Sequence, residues 1–412
     1  MLQSKLFSKT SKQFYKEEKS ANARFLIKGG FVSKLMAGVY SFLPLGLRVK
    51  KKIENIIREE LNKIGAQEIL MPAVQPQKIW EQTNRFKDLS EIMYQFVDRA
   101  GKKLVLGPTH EEIVTELAKP IILSYQDLPI SVYQIQTKFR DEPRARSGLI
   151  RGREFTMKDL YSFHQDQADL EKYYQKLKKV YLRIFKRCGL TAIVTEASGG
   201  YFSKYSHEFM VESPSGEDTI FWCENCKFSQ NKEISSLKEG QKCPRCGKGT
   251  IKKTRAIEVG NIFKLGTRFS ESLDLRFRTK TGELKPVVMG CYGIGIERTL
   301  ATVVEVNHDS AGIIWPEEIS PYQYHLLILS NDKEVEKFAK KVYAKLKQKS
   351  AEVLCDDRKV SAGEKFADAD LIGIPNRLVV SPKTKAVNKI EIKKRNQTKK
   401  RLVSLRQLLN KI

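Results

Sequence analysis

Two stretches rich in β-branched and aromatic residues, 130–141 and 151–163, flank a connection that holds Pro143, Arg144, Arg146, Ser147 and Gly148. Strand-like runs bounded by turn residues predict a long antiparallel pair joined by a basic loop. Side chains alternate across a strand, so Arg140 shares a face with Lys138 and Glu142. Arg151, Arg153, Phe155, Met157, Asp159 and Tyr161 share one face of the second run. That face combines cations, a ring and carboxylates. Guanidinium groups hold phosphates, a ring stacks on a base and a carboxylate accepts from an exocyclic amine, so the assortment suits a nucleotide. Cross-strand ion pairs on a half-exposed sheet would give the same composition.

The surrounding pattern mixes helices with strands. Ile53, Ile56, Ile57, Leu61 and Ile64 have the spacing of an amphipathic helix that ends at Gly65, and a short strand is expected at 68–71 before Pro72. Residues 169–188 again read as a helix, stopped by Gly189. After Pro321 strand-like runs at 324–329, 352–355 and 377–380 alternate with a Lys-rich helix at 334–349, which predicts a separate α/β domain from about residue 320. A strand running into a glycine-rich turn and then a helix is expected at Gly290-Cys-Tyr-Gly293-Ile-Gly295-Ile-Glu-Arg298. Arg298 stands where a dinucleotide fingerprint needs its third glycine, and no P-loop string occurs.

Charge narrows the partner. The 412 residues carry 74 Lys and Arg against 48 Asp and Glu, a surplus of +26 that points to a polyanion, nucleic acid before membrane lipid. No apolar run approaches the roughly 20 residues that span a bilayer, and residues 1–20 lack the apolar stretch of a secretion signal, so a soluble cytoplasmic protein without a membrane partner is expected. The C-terminal run from Lys383 to Lys411 holds eleven basic residues against Glu391 alone, either a solvated face or an RNA-backbone contact.

Four of the seven cysteines form Cys223-x2-Cys226 and Cys243-x2-Cys246, the spacing of a four-thiolate zinc ribbon. An odd total and no secretion signal disfavour disulfides. Four protein ligands leave no open position, so zinc here is expected to hold structure and not to catalyse.

The strings Phe139-Arg140-Asp-Glu142 and Arg153-Glu-Phe155-Thr-Met-Lys-Asp159 resemble motif 2 of the class II aminoacyl-tRNA synthetases, and Gly293-Ile-Gly295-Ile-Glu-Arg298 resembles motif 3. The helix and strand over 47–72 resemble motif 1. Gly107-Pro-Thr109-His-Glu111-Glu, Tyr133-Gln-Ile-Gln-Thr-Lys-Phe-Arg140, Met157-Lys-Asp-Leu-Tyr-Ser-Phe-His164 and Gly290-Cys-Tyr-Gly293-Ile-Gly295 are similar to the bacterial prolyl-tRNA synthetases. Asp356-Asp-Arg358, Phe366-Ala-Asp368 and Gly373-Ile-Pro375 resemble the anticodon-binding domain of that subgroup.

The resemblance implies an α+β chain in four segments. Residues 1–215 and 256–319 would form an antiparallel-sheet catalytic core, 216–255 a zinc-ribbon insertion and 320–412 an α/β anticodon-binding domain. It implies ATP, Mg²⁺, proline and proline-accepting tRNA as substrates and cofactors, and a homodimer. Carried over by position, Arg140 would hold the ATP α-phosphate and the proline carboxylate, and Arg298 the γ-phosphate. Glu142 would read the adenine amine, Phe155 would stack on adenine, Arg151 would touch the triphosphate or adenosine, and Glu258 would assist adenosine or magnesium. Arg144 and Arg146 would steer the tRNA acceptor end. Thr109 and Glu111 would accept from the proline ammonium, with Met157, Asp159, Tyr161, Phe263 and His207 around the ring. Thr109 and Glu112 also have the spacing of a helix capping box.

One departure from the bacterial pattern is expected to matter. Most bacterial relatives carry a large editing domain between motifs 2 and 3, whereas about forty residues holding the cysteines stand here, too few for a further domain of at least roughly 50 residues. The expectation is a synthetase that does not edit in cis. Two alternatives are a class II synthetase for another amino acid such as threonine, and a synthetase-like RNA-binding protein that has lost ligation. Retention of Arg140 and Arg298 argues against the latter.

Overall fold

The computed structural model describes residues 1–11, 20–143, 145, 147–200, 202–203 and 205–410. Two compact units emerge, one of residues 1–35, 40–53 and 303–412 and one of residues 36–39 and 54–302.

The larger unit is built on nine strands: β1 (Gln67–Glu68), β2 (Ile130–Phe139), β3 (Glu154–His164), β4 (Ile193–Ser198), β5 (Tyr205–Glu212), β6 (Asp218–Cys223), β7 (Ser229–Asn231), β8 (Ile251–Gly266) and β9 (Val288–Gly295). Their order is β5-β4-β7-β6-β8-β9-β3-β2-β1, and β5 also pairs with β8. The expected antiparallel pair is β2 with β3, in register from Ile130 opposite Phe163 to Phe139 opposite Glu154.

Each face of this sheet is covered for a reason visible in the sequence. Helix Gln167–Arg187 lays Leu170, Tyr174, Leu177, Tyr181 and Phe185 on one face, capped by Asp166 and followed by Gly189 at φ +80°. Such a side chain contributes about 1.5–3 kcal/mol when fully buried. On the other face Val114, Ala118 and Phe269 pack against Tyr161, Phe163, Met289 and Cys291.

The amphipathic helix forms as Pro44–Asn62, with Ile53, Ile56, Ile57 and Leu61 all buried. Near its end Glu60 receives Lys63, Arg183 and Arg187 at 2.7–3.1 Å. Burial alone would raise the Glu60 carboxyl, but those cations outweigh it and hold the group at about 2. The strand expected at 68–71 shrinks to Gln67–Glu68, because the Met71 N–H is taken by the Gln134 side chain at 3.0 Å instead of by a neighbouring strand.

The smaller unit carries a five-stranded sheet of β10 (Tyr324–Ile328), β11 (Val353–Asp356), β12 (Asn376–Val380), β13 (Ile390–Lys394) and β14 (Lys400–Val403), in the order β11-β10-β12-β13-β14. The first three run parallel, and β13 and β14 are antiparallel additions. The basic stretch after Lys383 is therefore folded: Ile390, Ile392, Val403 and Leu408 are buried in the core while Lys393 and Lys400 alternate with them.

Two local expectations are corrected. Both strands of the pair are shorter than 130–141 and 151–163, so Arg140, Glu142, Arg151 and Arg153 lie beyond the ladder, where Ser147 and Gly148 at φ +60° and +65° turn the chain. The glycines of 290–295 do not form a turn. They lie within β9, none at positive φ.

Candidate active site

A cavity of about 630 Å³ opens on the sheet of the larger unit. Its floor is laid by cross-strand rows: Phe263 opposite Cys291, and Asn261 opposite Gly293 opposite Asp159. Phe155 and Met157 continue the β3 side. The glycines of β9 act through close approach. A Cβ on Gly293 would stand 2.9 Å from Asn261 Oδ1; on the opposite face of the sheet, one on Gly290 would stand 2.5 Å from the Tyr292 hydroxyl and 2.9 Å from Leu170 of the covering helix. Only a residue without a side chain keeps the floor flat at Gly293 and leaves room for the helix at Gly290.

At one end two guanidinium groups converge. Arg140 sits just past β2, its backbone N–H donating to Arg153 O at 2.8 Å. Its Nη2 donates to Pro108 O at 3.3 Å and its Cζ stands 5.3 Å from the centre of the Phe155 ring. Arg298, in the first turn of helix Ile296–Val306, donates from Nε to Ile150 O at 2.9 Å and from Nη1 to Glu258 Oε2 at 3.0 Å. Burial, and then the charge of Arg298, lower the pKa of Arg140. Two cations sharing one cavity make it a receptor for an anion. Arg151 bridges Glu142 at 3.0 Å and Glu217 at 3.2 Å along the rim. Burial and the neighbouring Glu258 charge push Asp218 up to about 6.

At the other end the charges reverse. Glu111 Oε2 accepts from the Thr109 hydroxyl at 2.6 Å and from Arg85 Nη1 at 3.1 Å. The capping box does not form: helix Glu111–Ala118 takes His110 as N-cap without a side-chain bond, which leaves Thr109 directed to Glu111. Asp159 is held by Lys138 at 2.9 Å, Gln134 at 2.9 Å and the Tyr161 hydroxyl at 2.9 Å.

Eleven of the expected residues thus line one cavity: Thr109, Glu111, Arg140, Glu142, Arg151, Phe155, Met157, Asp159, Glu258, Phe263 and Arg298. Two do not. Tyr161 is fully buried under the start of helix Glu111–Ala118, where its hydroxyl supports Asp159. His207 is not among the lining residues, its ring bonded to the Tyr174 hydroxyl at 2.8 Å and Lys178 at 2.9 Å. Arg144 and Arg146 fall outside the described residues. Sequence reasoning missed Arg85, Phe202, Asn261 and Asp218, which share the lining. The adjacent pair Glu111-Glu112 was the available signal for Arg85, because two buried carboxylates require a cation.

The four ribbon cysteines come together at the far ends of β6 and β8. Their sulfurs all lie within 4.8 Å of one another, with Cys223 to Cys246 at 3.8 Å and Cys226 to Cys243 at 3.6 Å. Four thiolates bound tetrahedrally at about 2.3 Å would stand about 3.8 Å apart, so the donor set fits zinc.

Comparison with known proteins places this geometry. Residues 94–307 match the family described as "tRNA synthetase class II core domain (G, H, P, S and T)", and residues 323–412 match "Anticodon binding domain". A proline–tRNA ligase of Dehalococcoides mccartyi is 35% identical, the alignment covering 100% of this chain and 98% of the relative. The chain belongs to the proline–tRNA ligase family. A second member, from Halothermothrix orenii, is 35% identical over 93% of this chain and 94% of its own. Two solved structures share the fold. The Giardia lamblia prolyl-tRNA synthetase in complex with prolyl-adenylate superposes with a TM-score of 0.78 at 21% identity, covering 95% of this chain and 76% of that one. The Cryptosporidium parvum prolyl-tRNA synthetase complexed with halofuginone and AMPPNP gives 0.79 at 17%, covering 95% and 75%. As a proline–tRNA ligase family member the chain is an aminoacyl-tRNA ligase with a class II catalytic core. The D. mccartyi alignment spans 561 positions against 412 residues here, so at least 149 of them hold no residue of this chain.

Proposed function

We propose that this cavity condenses proline with ATP and that the chain then passes the prolyl group to proline-accepting tRNA. The observation that carries the reading is the polarity of one cavity: paired guanidinium groups and an aromatic ring at one end, and at the other Glu111, which shares the single Arg85 guanidinium with Glu112. Adenine stacks on Phe155 with Glu142 accepting from its amine, and Arg298 holds the γ-phosphate. Arg140 lies between the nucleotide and proline ends. It holds the α-phosphate and the proline carboxylate as a carboxylate oxygen bonds to the α-phosphorus and pyrophosphate leaves. Glu111 and Thr109 accept from the proline ammonium while Met157, Asp159 and Phe263 surround the ring. A ribose hydroxyl at the tRNA 3′ end then bonds to the prolyl carbonyl carbon, and AMP leaves. Positioning and electrostatics suffice for the first step.

Several further assignments belong to this reading. Glu258 and Asp218, whose proton affinity burial and the Glu258 charge raise, would hold the Mg²⁺ that accompanies ATP, and the ion would neutralise phosphate charge. Zinc would hold residues 216–255 as an insertion between core segments 1–215 and 256–319, with 320–412 as the anticodon-binding domain. Arg151 touches the triphosphate or adenosine, and Arg144 and Arg146 guide the acceptor end. The protein works in the cytoplasm as a homodimer, a state supported by exposed apolar residues of the larger unit such as Leu70, Val97 and Leu123. No helix among the described residues is long and apolar enough to cross a membrane.

Pyrophosphate exchange over a panel of amino acids tests the central reading. Proline is expected to drive exchange most strongly; threonine doing so instead, or no amino acid at all, would overturn it. We further propose that this chain does not edit, a reading supported by the short ribbon segment and the unmatched positions of its longer relatives. A pocket rejects a substrate missing a methylene or so by only about 1–3 kcal/mol. Alanyl-tRNA of the proline type is therefore expected to persist when incubated with the enzyme. Rapid enzyme-dependent deacylation would contradict this.

A further inference from the structure

The proline end of the cavity rests on a charge imbalance that the residues touching the ligand do not explain. Arg85 is buried and its single Nη1 serves two carboxylates, Glu111 Oε2 at 3.1 Å and both oxygens of Glu112 at 2.9 and 3.0 Å. The rings of Phe202, Trp80 and Phe269 lie 4.8–5.2 Å from its Cζ and exclude water from the rest of the guanidinium. Glu112 is itself fully buried, with the Thr83 hydroxyl donating to it at 2.9 Å. One positive charge therefore faces two negative ones in a dry site. Lys138 and Arg140 also act on Glu111, but the charges that act on Glu112 are those of Arg85 and Glu111. On β2 Lys138 is committed to Asp159 of β3. Arg140 lies between the nucleotide and proline ends, held on the Pro108 carbonyl. Burial keeps the Cys291 thiol of β9 and the Tyr161 hydroxyl of β3 neutral, and burial with Lys138 holds His110 down at about 4.

We propose that Arg85 and Glu112 are positioning residues for the ammonium site: Arg85 fixes Glu111 against the cavity, and Glu112 holds a proton in the empty site that it releases to solvent when the proline ammonium arrives. The exchange conserves charge, one cation entering as one proton leaves, with the N–H donors of proline facing Glu111 and the Glu112 carboxylate left to Arg85. Isolated ionised carboxylates are too costly to bury, so an empty site with both charged is the less stable state. Burial, opposed by Arg85 and reinforced by Glu111, raises the Glu112 carboxyl to about 7. The sign follows: below that pH proline must displace a proton and binds less tightly, and above it the proton is already gone.

This inference rests on the proline reading of the cavity. The test is the KM for proline in pyrophosphate exchange, measured from about pH 6 to about pH 8 at saturating ATP, in wild type, Glu112→Gln and Arg85→Lys. Wild type is expected to show a fall of about tenfold in proline KM across that range, without a matching change in the KM for ATP. Glu112→Gln, which cannot lose the proton, is expected to show a flat proline KM about tenfold above the wild-type value at the alkaline end, with kcat little changed. Arg85→Lys keeps the charge but not the fork, and is expected to raise proline KM at every pH. A wild-type proline KM that does not change with pH, or Glu112→Gln with the wild-type slope, would overturn the inference while leaving proline as substrate. Exchange driven by another amino acid and not by proline would overturn the reading beneath it.

Discussion

Replacing Arg140 with alanine is expected to lower proline-dependent pyrophosphate exchange by about 10³-fold or more, with little loss of stability. Removing one donor aimed at developing charge commonly costs about 10²–10³ in rate, and Arg140 is placed to serve two anions at once. It lies on the Phe155 ring and shares the cavity with Arg298, and its own hydrogen bonds are to Pro108 O, through Nε at 3.4 Å and Nη2 at 3.3 Å, a carbonyl that leaves its charge uncancelled. Because burial and Arg298 both disfavour its charge, deleting it removes a repulsion along with a contact. The melting temperature is therefore expected to hold within a few degrees. Arg140→Lys should recover little, since an ammonium cannot present the planar fork that spans a carboxylate and a phosphate. Exchange by Arg140→Ala within tenfold of wild type would defeat the mechanism proposed for the cavity.

Loss of the ribbon metal is expected to reach the nucleotide. The ribbon has a small core of Phe221, Cys223, Cys243 and Ile251, with Phe228 and Leu237 against it, too little to hold a fold without cross-links. Its two strands continue into the cavity. β6 runs from Asp218, on the lining, to Cys223, and β8 runs from Ile251, paired with Cys223, through Glu258. Asp218 pairs with Ala256 in the same ladder, so a slipping ribbon would move both carboxylates. Structural zinc sites contribute about 10–16 kcal/mol in isolated finger peptides. Chelation, or Cys246→Ser, is thus expected to lower thermal stability and to raise the KM for ATP by about tenfold or more. Proline KM should move less, because Thr109 and Glu111 stand on a separate loop and helix. Purified protein is expected to hold one zinc per chain by elemental analysis. A metal-free preparation with an unchanged melting curve and unchanged ATP KM would show that the cysteines do not act this way.

The residues that could be read from sequence are those whose chemistry depends on local order. Alternation along β3 put Phe155, Met157 and Asp159 on one face, and the spacing of Cys223, Cys226, Cys243 and Cys246 gave a ligand set, because strand pleat and knuckle turns are short-range. The helix at 44–62 and the β-α-β pattern after Pro321 were legible for the same reason. What the amino-acid order determined by itself was the family, the strand pair and the identity of the charges: Arg140 and Arg298, 158 positions apart, are marked out by their strings alone.

Tertiary structure decided which of those groups face the same space. Tyr161 has the right parity on β3, yet the strand passes beneath helix Glu111–Ala118 there and its hydroxyl meets Asp159 and the His110 N–H. Arg85 belongs to no pattern along the chain, and becomes a partner of Glu111 only when the segment at 85–89 packs onto the start of that helix. The glycines of β9 look like a turn in sequence and lie in a strand in space, because the need for them is set by Asn261 across the cavity floor at Gly293 and by Tyr292 and Leu170 on the opposite face at Gly290. Charge balance at the ammonium site has the same origin. Electrostatic energy depends on distance and burial, and neither can be counted along a chain until the chain has closed on itself.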